Sequence, residues 1–172
     1  MGRIQDVTPN DDIETRVRTA LEASGQDYEI MDCDPALADT DDFCRHYGVP
    51  VSNSANTILV KAKTGGERFV ACVLLADSRL DVNRCVRKRL QARRVSFASA
   101  EETRRLTGMA LGGVTPLALP ADLPVWVDRR LMDAGYVILG AGVRDAKIKV
   151  SPAVFHALPN VDVVEGLALP RE

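Results

Sequence analysis

The chain is poor in the residues that build metal centres and nucleophilic triads. Its 172 residues include only two histidines, His46 and His156, and neither neighbours a set of further ligands. No metal site and no cofactor are expected on that ground. No Ser-His-Asp or Cys-His set stands out. Four cysteines (Cys33, Cys44, Cys72, Cys85) are scattered without a C-x-x-C pair. They read as reduced thiols, mostly buried, in a cytoplasmic protein. No apolar run reaches membrane-spanning length, and the opening Met1-Gly2-Arg3-Ile4-Gln5-Asp6 lacks the apolar stretch of a signal peptide. A net charge of −2 shows no overall basic excess, so a nucleic-acid role has to come from local clustering. What is present, 46% hydrophobic and 27% charged residues, suits one globular domain with a substantial core, spanning residues 1–172.

Taken in order, the chain alternates helical and extended patterns. Thr8 caps a first helix with Pro9 at its first position; Ile13, Val17, Ala20 and Leu21 recur at helical spacing, and Gly25 stops it. Tyr28–Met31 reads as a strand, and Thr40–Tyr47 as a short helix ending at Gly48. Two apolar runs, Asn56–Lys63 and Arg68–Leu75, flank a Thr64-Gly65-Gly66-Glu67 turn and read as central hairpin strands. A third helix buries Val82, Cys85, Val86 and Leu90. Val95–Phe97 is a short strand, and Ser99-Ala100-Glu101-Glu102 is a capping box for a helix that stops at Gly108. Strands follow at Val125–Val127, Tyr136–Leu139 and Lys147–Val150, with one helical turn capped by Asp128 between the first two. Ser151-Pro152 opens a last helix, and a short strand is expected after Val161. Hairpins mixed with helices predict an α+β (mixed α/β) fold around one central, mostly antiparallel mixed sheet.

The stretch Gly108-Met109-Ala110-Leu111-Gly112-Gly113-Val114-Thr115-Pro116 stands between a helix and a strand. Glycine lets a ligand approach the main chain, and Pro116 biases Thr115 towards an extended shape. A rigid loop with exposed N–H groups would suit an oxyanion, a carbonyl or a phosphate. A plain connecting turn is the other reading.

The order of features completes a pattern. N-T-I-L-V-K opens a strand that leads into a hairpin; a basic helix and a capped helix ending in L-T-G follow. Then come G-G-V-T-P, a strand V-W-V-D and a turn G-A-G-V-R. This resembles the YbaK/aminoacyl-tRNA-deacylase family, which includes the editing domain inserted in bacterial prolyl-tRNA synthetases. The most specific piece is L-T-G-x-x-x-G-G-x-x-P, Leu106 to Pro116. The resemblance implies a hydrolase, acting in trans, that cleaves the ester bond of mischarged tRNA. It implies aminoacyl-tRNA as substrate and an aminoacyl-tRNA synthetase as a further partner, with no membrane involved. The N–H groups of Gly112, Gly113 and Val114 would polarise the ester carbonyl. Thr115 and Pro116 would touch the aminoacyl group or terminal adenosine, and Gly140 and Gly142 would border the same pocket. Water would be the nucleophile, positioned partly by the substrate's ribose hydroxyl.

Three positions depart from the family's pattern. Asn56 stands where many members carry a lysine, Gly140 where relatives have serine, and Lys147 where an acidic residue is common. Asn56 is expected at the pocket edge, facing the glycine loop, with Lys61 on the opposite face of the strand. Without the lysine, a catalytically weak tRNA- or nucleotide-binding module is the alternative to the enzyme. Arg84, Arg87 and Lys88, with Arg89, Arg93, Arg94 and also Arg144, read either as a path for the tRNA backbone or as an ordinary solvated face. Cys33 reads as a pocket residue or a structural thiol. Trp126 is expected in the core, and His46 and His156 on the surface. The amino acid removed, the tRNA and the oligomeric state stay open.

Overall fold

A computed structural model describes residues 9–171. The cap assigned to Thr8 lies outside them. Helix α1 runs Pro9–Ser24, and Ile13, Val17 and Leu21 on one stripe are buried. Strand β1 (Tyr28–Asp32) is followed by a 3-10 turn at Pro35–Leu37 and helix α2 (Thr40–Tyr47). The hairpin is formed by β2 (Ala55–Ala62) and β3 (Arg68–Leu75), paired antiparallel from Ala55 opposite Leu75 to Ala62 opposite Arg68. Strand β4 (Ser78–Leu80) precedes a π-helical turn, Val82–Val86, that runs into the short α3 (Arg87–Arg89). Then follow β5 (Val95–Phe97), α4 (Ala100–Thr107), β6 (Val125–Asp128), β7 (Val137–Gly140) and β8 (Ala146–Val150). Strands β9 (Val161–Val164) and β10 (Ala168–Pro170) close the chain.

Five strands form the larger sheet in the order β5-β2-β3-β6-β9, antiparallel on the β5 side and parallel from β3 to β9. The run Val70–Leu75 is buried throughout because both faces of this sheet are covered. Ala71, Val73 and Leu75 pack with Leu59, Val127, Leu139, Ile148 and the stripe of α1. Val70 and Cys72 pack on the other face with Val60, Val86, Leu90 and Trp126. Trp126 is thus a core residue, and its ring carries the Arg89 guanidinium 4.9 Å from the centroid.

The expectation of one sheet is corrected. Strands β1, β8 and β7 make a separate antiparallel sheet, and β10 pairs with β4 in a third. Among the described residues a single bridge, Ser54 to Ile138, joins the β2 side to β7. At Gly140 the loop backbone presses on the end of β7. A Cβ there would collide with the Val114 carbonyl oxygen and lie 3.0 Å from that of Gly113. The helix expected over Val82–Leu90 is shorter and irregular, and the one after Ser151 is 3-10, Pro152–Ala157, with Ser151 capping Ala153 N–H at 3.2 Å. Asp128 precedes the 3-10 turn Arg129–Asp133 without capping it; its carboxylate accepts from Ala168 N–H at 3.2 Å instead.

The capping box is formed as expected. Glu102 N–H donates to Ser99 Oγ at 3.0 Å, and Ser99 N–H to Glu102 Oε1 at 3.1 Å. Glu102 Oε2 also accepts from Lys61 Nζ at 2.7 Å, tying α4 to β2. The Lys61 hydrogen bond, aided by the Ser99 N–H, holds the Glu102 carboxyl down at about 2. A carboxyl lowered in the folded state stabilises it above its ordinary value of 4.5 and loses that contribution as pH falls towards about 2. The acid limb of the stability profile should therefore be shallower over that window in Lys61→Met than in wild type. Equal slopes in urea titrations at several pH values would remove Lys61 from it. Separately, Gly140→Ala should destabilise the fold by about 1–3 kcal/mol, the usual cost of overpacking; an unchanged urea midpoint would mean the loop yields freely.

Candidate functional site

The glycine loop begins where α4 ends, with Gly108 N–H donating to Arg104 O at 2.7 Å. Its inner side is anchored by fully buried Met109 and Thr115. Met109 N–H donates to Thr107 Oγ1 at 3.0 Å, and Thr115 N–H reaches Met109 Sδ at 3.4 Å. Thr115 then caps the 3-10 turn Pro116–Ala118, whose residues are all buried. Thr115 and Pro116 therefore form the buried end of the loop.

Three successive carbonyls of the loop are each held by a donor from the β7–β8 turn and the strand after it. Leu111 O accepts from Arg144 Nη1 at 2.6 Å, Gly112 O from Lys147 Nζ at 2.8 Å, and Gly113 O from Gly142 N–H at 2.7 Å. The same cations reach across to the segment before α2. Arg144 donates through Nε and Nη2 to Pro35 O at 3.1 and 2.8 Å and through Nη1 to Asp39 Oδ1 at 3.2 Å. Lys147 donates to Ala38 O at 2.7 Å. Arg144 and Lys147 thus clamp the loop to residues 35–39.

The clamp decides which N–H groups are available. Gly113 N–H is used inside the loop, donating to Ala110 O at 3.0 Å. Gly113 is also packed tightly, since a Cβ on it would lie 2.8 Å from the Val143 carbonyl. Gly112 N–H and Val114 N–H have no hydrogen-bond partner among the described residues, and both residues are only half-buried. Gly112 has φ +85°, a conformation that a side chain would strain. The two free N–H groups belong to the peptides whose carbonyls Arg144 and Gly142 hold. Hydrogen bonding to a peptide's carbonyl strengthens its N–H as a donor.

Beside the loop is a cavity of about 10 Å³, room for one water-sized group, lined by Thr40, Phe43, Ser54, Ala55, Ile138, Leu139, Gly140 and Lys147. Lys147 is 7% exposed, and its ammonium lies 5.6 Å from the centre of the Phe43 ring. It makes no ion pair among the described residues. Burial pushes its pKa below the ordinary lysine value, against a partial opposing pull from Cys33 and Asp39.

The structure places the remaining expected residues as follows. Asn56 Oδ1 accepts from Thr40 Oγ1 at 2.5 Å, so it supports a cavity-lining residue. Lys61 is occupied with Glu102. Gly142 closes the turn onto the loop. Cys33 lies in a small cluster with Ala38, Phe43, Cys44 and Ile138, its thiol pushed up chiefly by burial. Arg84, Lys88, Arg93 and Arg94 are exposed, while Arg87 Nε bonds back to Asn83 O at 2.8 Å. A groove of 610 Å³ beside them is lined by Arg79, Asp81, Arg84, Phe97 and Leu169, and it shares no residue with the cavity at the loop. Arg144 is separate from this group and held by the clamp. His46 and His156 are exposed, as expected. Among the described residues no group of three His, Cys, Asp or Glu side chains is placed to hold a metal, and no helix is long and apolar enough to cross a membrane. Lys147, Thr40 and Ser54 were not marked as site residues by motif. The one signal for Lys147 was its charge at a position where the family's pattern carries an acid.

The α+β fold thus presents two main-chain donors from a doubly clamped loop. The family model of the aminoacyl-tRNA editing domain matches residues 34–158, and the chain belongs to that family. Solved structures agree on the fold. The chain is similar to a candidate trans-editing enzyme for prolyl-tRNA synthetase at 22% identity, with TM-score 0.74, covering 93% of this chain and 98% of that one. It is similar to hypothetical protein APE2540 at 26% identity, with TM-score 0.78, covering 90% and 99%. A scaffold protein used in epitope backbone grafting shares the fold at 20% identity, with TM-score 0.74, covering 96% and 100%.

The burial of Lys147 has a measurable consequence. A lysine whose pKa is lowered by folding opposes the folded state while charged, and that cost lifts as pH rises through the lowered value towards 10.5. The difference in stability between wild type and Lys147→Met should shift in favour of wild type over that range. A pH-independent difference would show that the ammonium is solvated.

Proposed function

We propose that the protein is an aminoacyl-tRNA deacylase acting in trans on mischarged tRNA. The observation that carries this reading is the pair of unpartnered donors, Gly112 N–H and Val114 N–H, on a loop fixed by three held carbonyls. Hydrolysis of an aminoacyl ester places negative charge on the carbonyl oxygen as water adds. Donors already aimed at that oxygen stabilise the charge without reorganising. The C–O bond to the ribose then breaks, the ribose oxygen takes the proton that the attacking water gives up, and the free amino acid and the uncharged tRNA leave. Thr40, Ser54 and Lys147 line the adjoining cavity, which has room for one water-sized group. Asn56 acts through Thr40. The exposed Arg84 and Lys88, with half-buried Arg87, follow the tRNA backbone, and a prolyl-tRNA synthetase is the candidate partner.

A panel of correctly and wrongly charged tRNAs tests this. Wild type should release the amino acid from at least one mischarged species well above the buffer rate. Gly112→Ala, which strains the backbone and crowds the Arg144 guanidinium, should lose about a hundredfold in rate, the usual effect of losing one such donor. Tight tRNA binding with no hydrolysis of any species would leave a binding module instead.

A further inference from the structure

The geometry points to Lys147 as a positioning residue of this site: its ammonium fixes the Gly112 carbonyl, and through it the two free donors, at the cost of burying a charge that forms no ion pair among the described residues. This rests on the reading of the loop as an acyl-oxygen site.

A buried ammonium normally finds a carboxylate, because taking it out of water is costly. Lys147 pairs with none among the described residues, and Asp39, whose charge it feels, gives Oδ1 to Arg144. The ammonium settles for two neutral acceptors, Ala38 O at 2.7 Å and Gly112 O at 2.8 Å, and the face of Phe43. An ammonium has three N–H groups, so one is left beyond these two bonds. The surrounding positions do not require a cation for packing, since Ile138, Leu139, Ala55 and Phe43 would accept an apolar chain of similar length. What only a cation of this reach does here is bridge residues 35–39 to the middle carbonyl of the loop. That carbonyl lies between the two peptides that carry the free donors, so its rotation would swing both.

Lys147 also stands opposite Gly140 in the β7–β8 ladder. Gly140 is where the loop backbone touches the sheet. The residue that pulls the loop and the residue that admits it are therefore cross-strand partners, and a single register sets both.

The test uses the full-length protein, Lys147→Met and Lys147→Arg. Lys147→Met keeps the length and removes the charge. It should fold with a melting temperature close to that of wild type, yet lose about a hundredfold in kcat with KM little changed, as expected when reacting groups are displaced by about an ångström. Lys147→Arg should recover part of kcat. Amide NMR supplies a readout independent of turnover: Gly112, Gly113 and Val114 resonances should shift or broaden in Lys147→Met and return towards wild type in Lys147→Arg. Unchanged kcat, or unchanged loop amides, in a folded Lys147→Met would overturn the inference. So would a large fall in melting temperature with kcat intact, which marks a structural tie. If wild type deacylates nothing while the amides respond as expected, the positioning role stands and the deacylase reading fails.

Discussion

The structure around the candidate site depends on three hydrogen bonds to the carbonyls of Leu111, Gly112 and Gly113. A nine-residue glycine-rich loop left to itself would sample many conformations, and ordering each backbone residue costs about 1–2 kcal/mol. Two of the three donors are cations, and hydrogen bonds to charged groups contribute about 1.5–3 kcal/mol each before allowance for solvent. The third is the Gly142 N–H, part of a turn pressed against the same loop. Together with the buried anchors Met109 and Thr115, they turn a flexible sequence into a fixed array of peptide dipoles.

Glycine is needed at these positions for contact more than for flexibility. Gly113 meets the Val143 backbone and Gly140 meets the loop, so two main chains lie against each other with no side chains between. That approach brings Gly142 N–H within reach of Gly113 O. The larger sheet supplies the rigid support, covered on one face by α1 and the smaller sheet and on the other by Val86, Leu90 and Trp126.

Much of this was legible in the sequence, for identifiable reasons. The capping box at Ser99–Glu102 and the stop at Gly108 are local, and local chemistry fixed both ends of α4. The apolar runs of β2 and β3 announced central strands. The glycine loop was legible as a motif. Its hydrogen bonding was not, because Gly113 N–H turns inward to Ala110 O and no sequence pattern encodes which of three adjacent donors does so. Arg144 illustrates the same limit. Grouped by charge, it belongs with the helix arginines; placed by the fold, it joins Pro35, Asp39 and Leu111, residues far away along the chain. Lys147 alternates with Ile148 as a solvent-facing strand residue would, yet is buried because the glycine loop and residues 35–39 fold over that face.

The most direct measurement is a crystal structure of the protein with a non-hydrolysable amide analogue of a 3′-aminoacyl-adenosine. The account predicts the acyl oxygen about 2.7–3.1 Å from both Gly112 N and Val114 N, with the Arg144 and Lys147 clamp intact. An analogue bound with its acyl oxygen away from those two nitrogens, or a loop that opens by releasing the clamp, would contradict it.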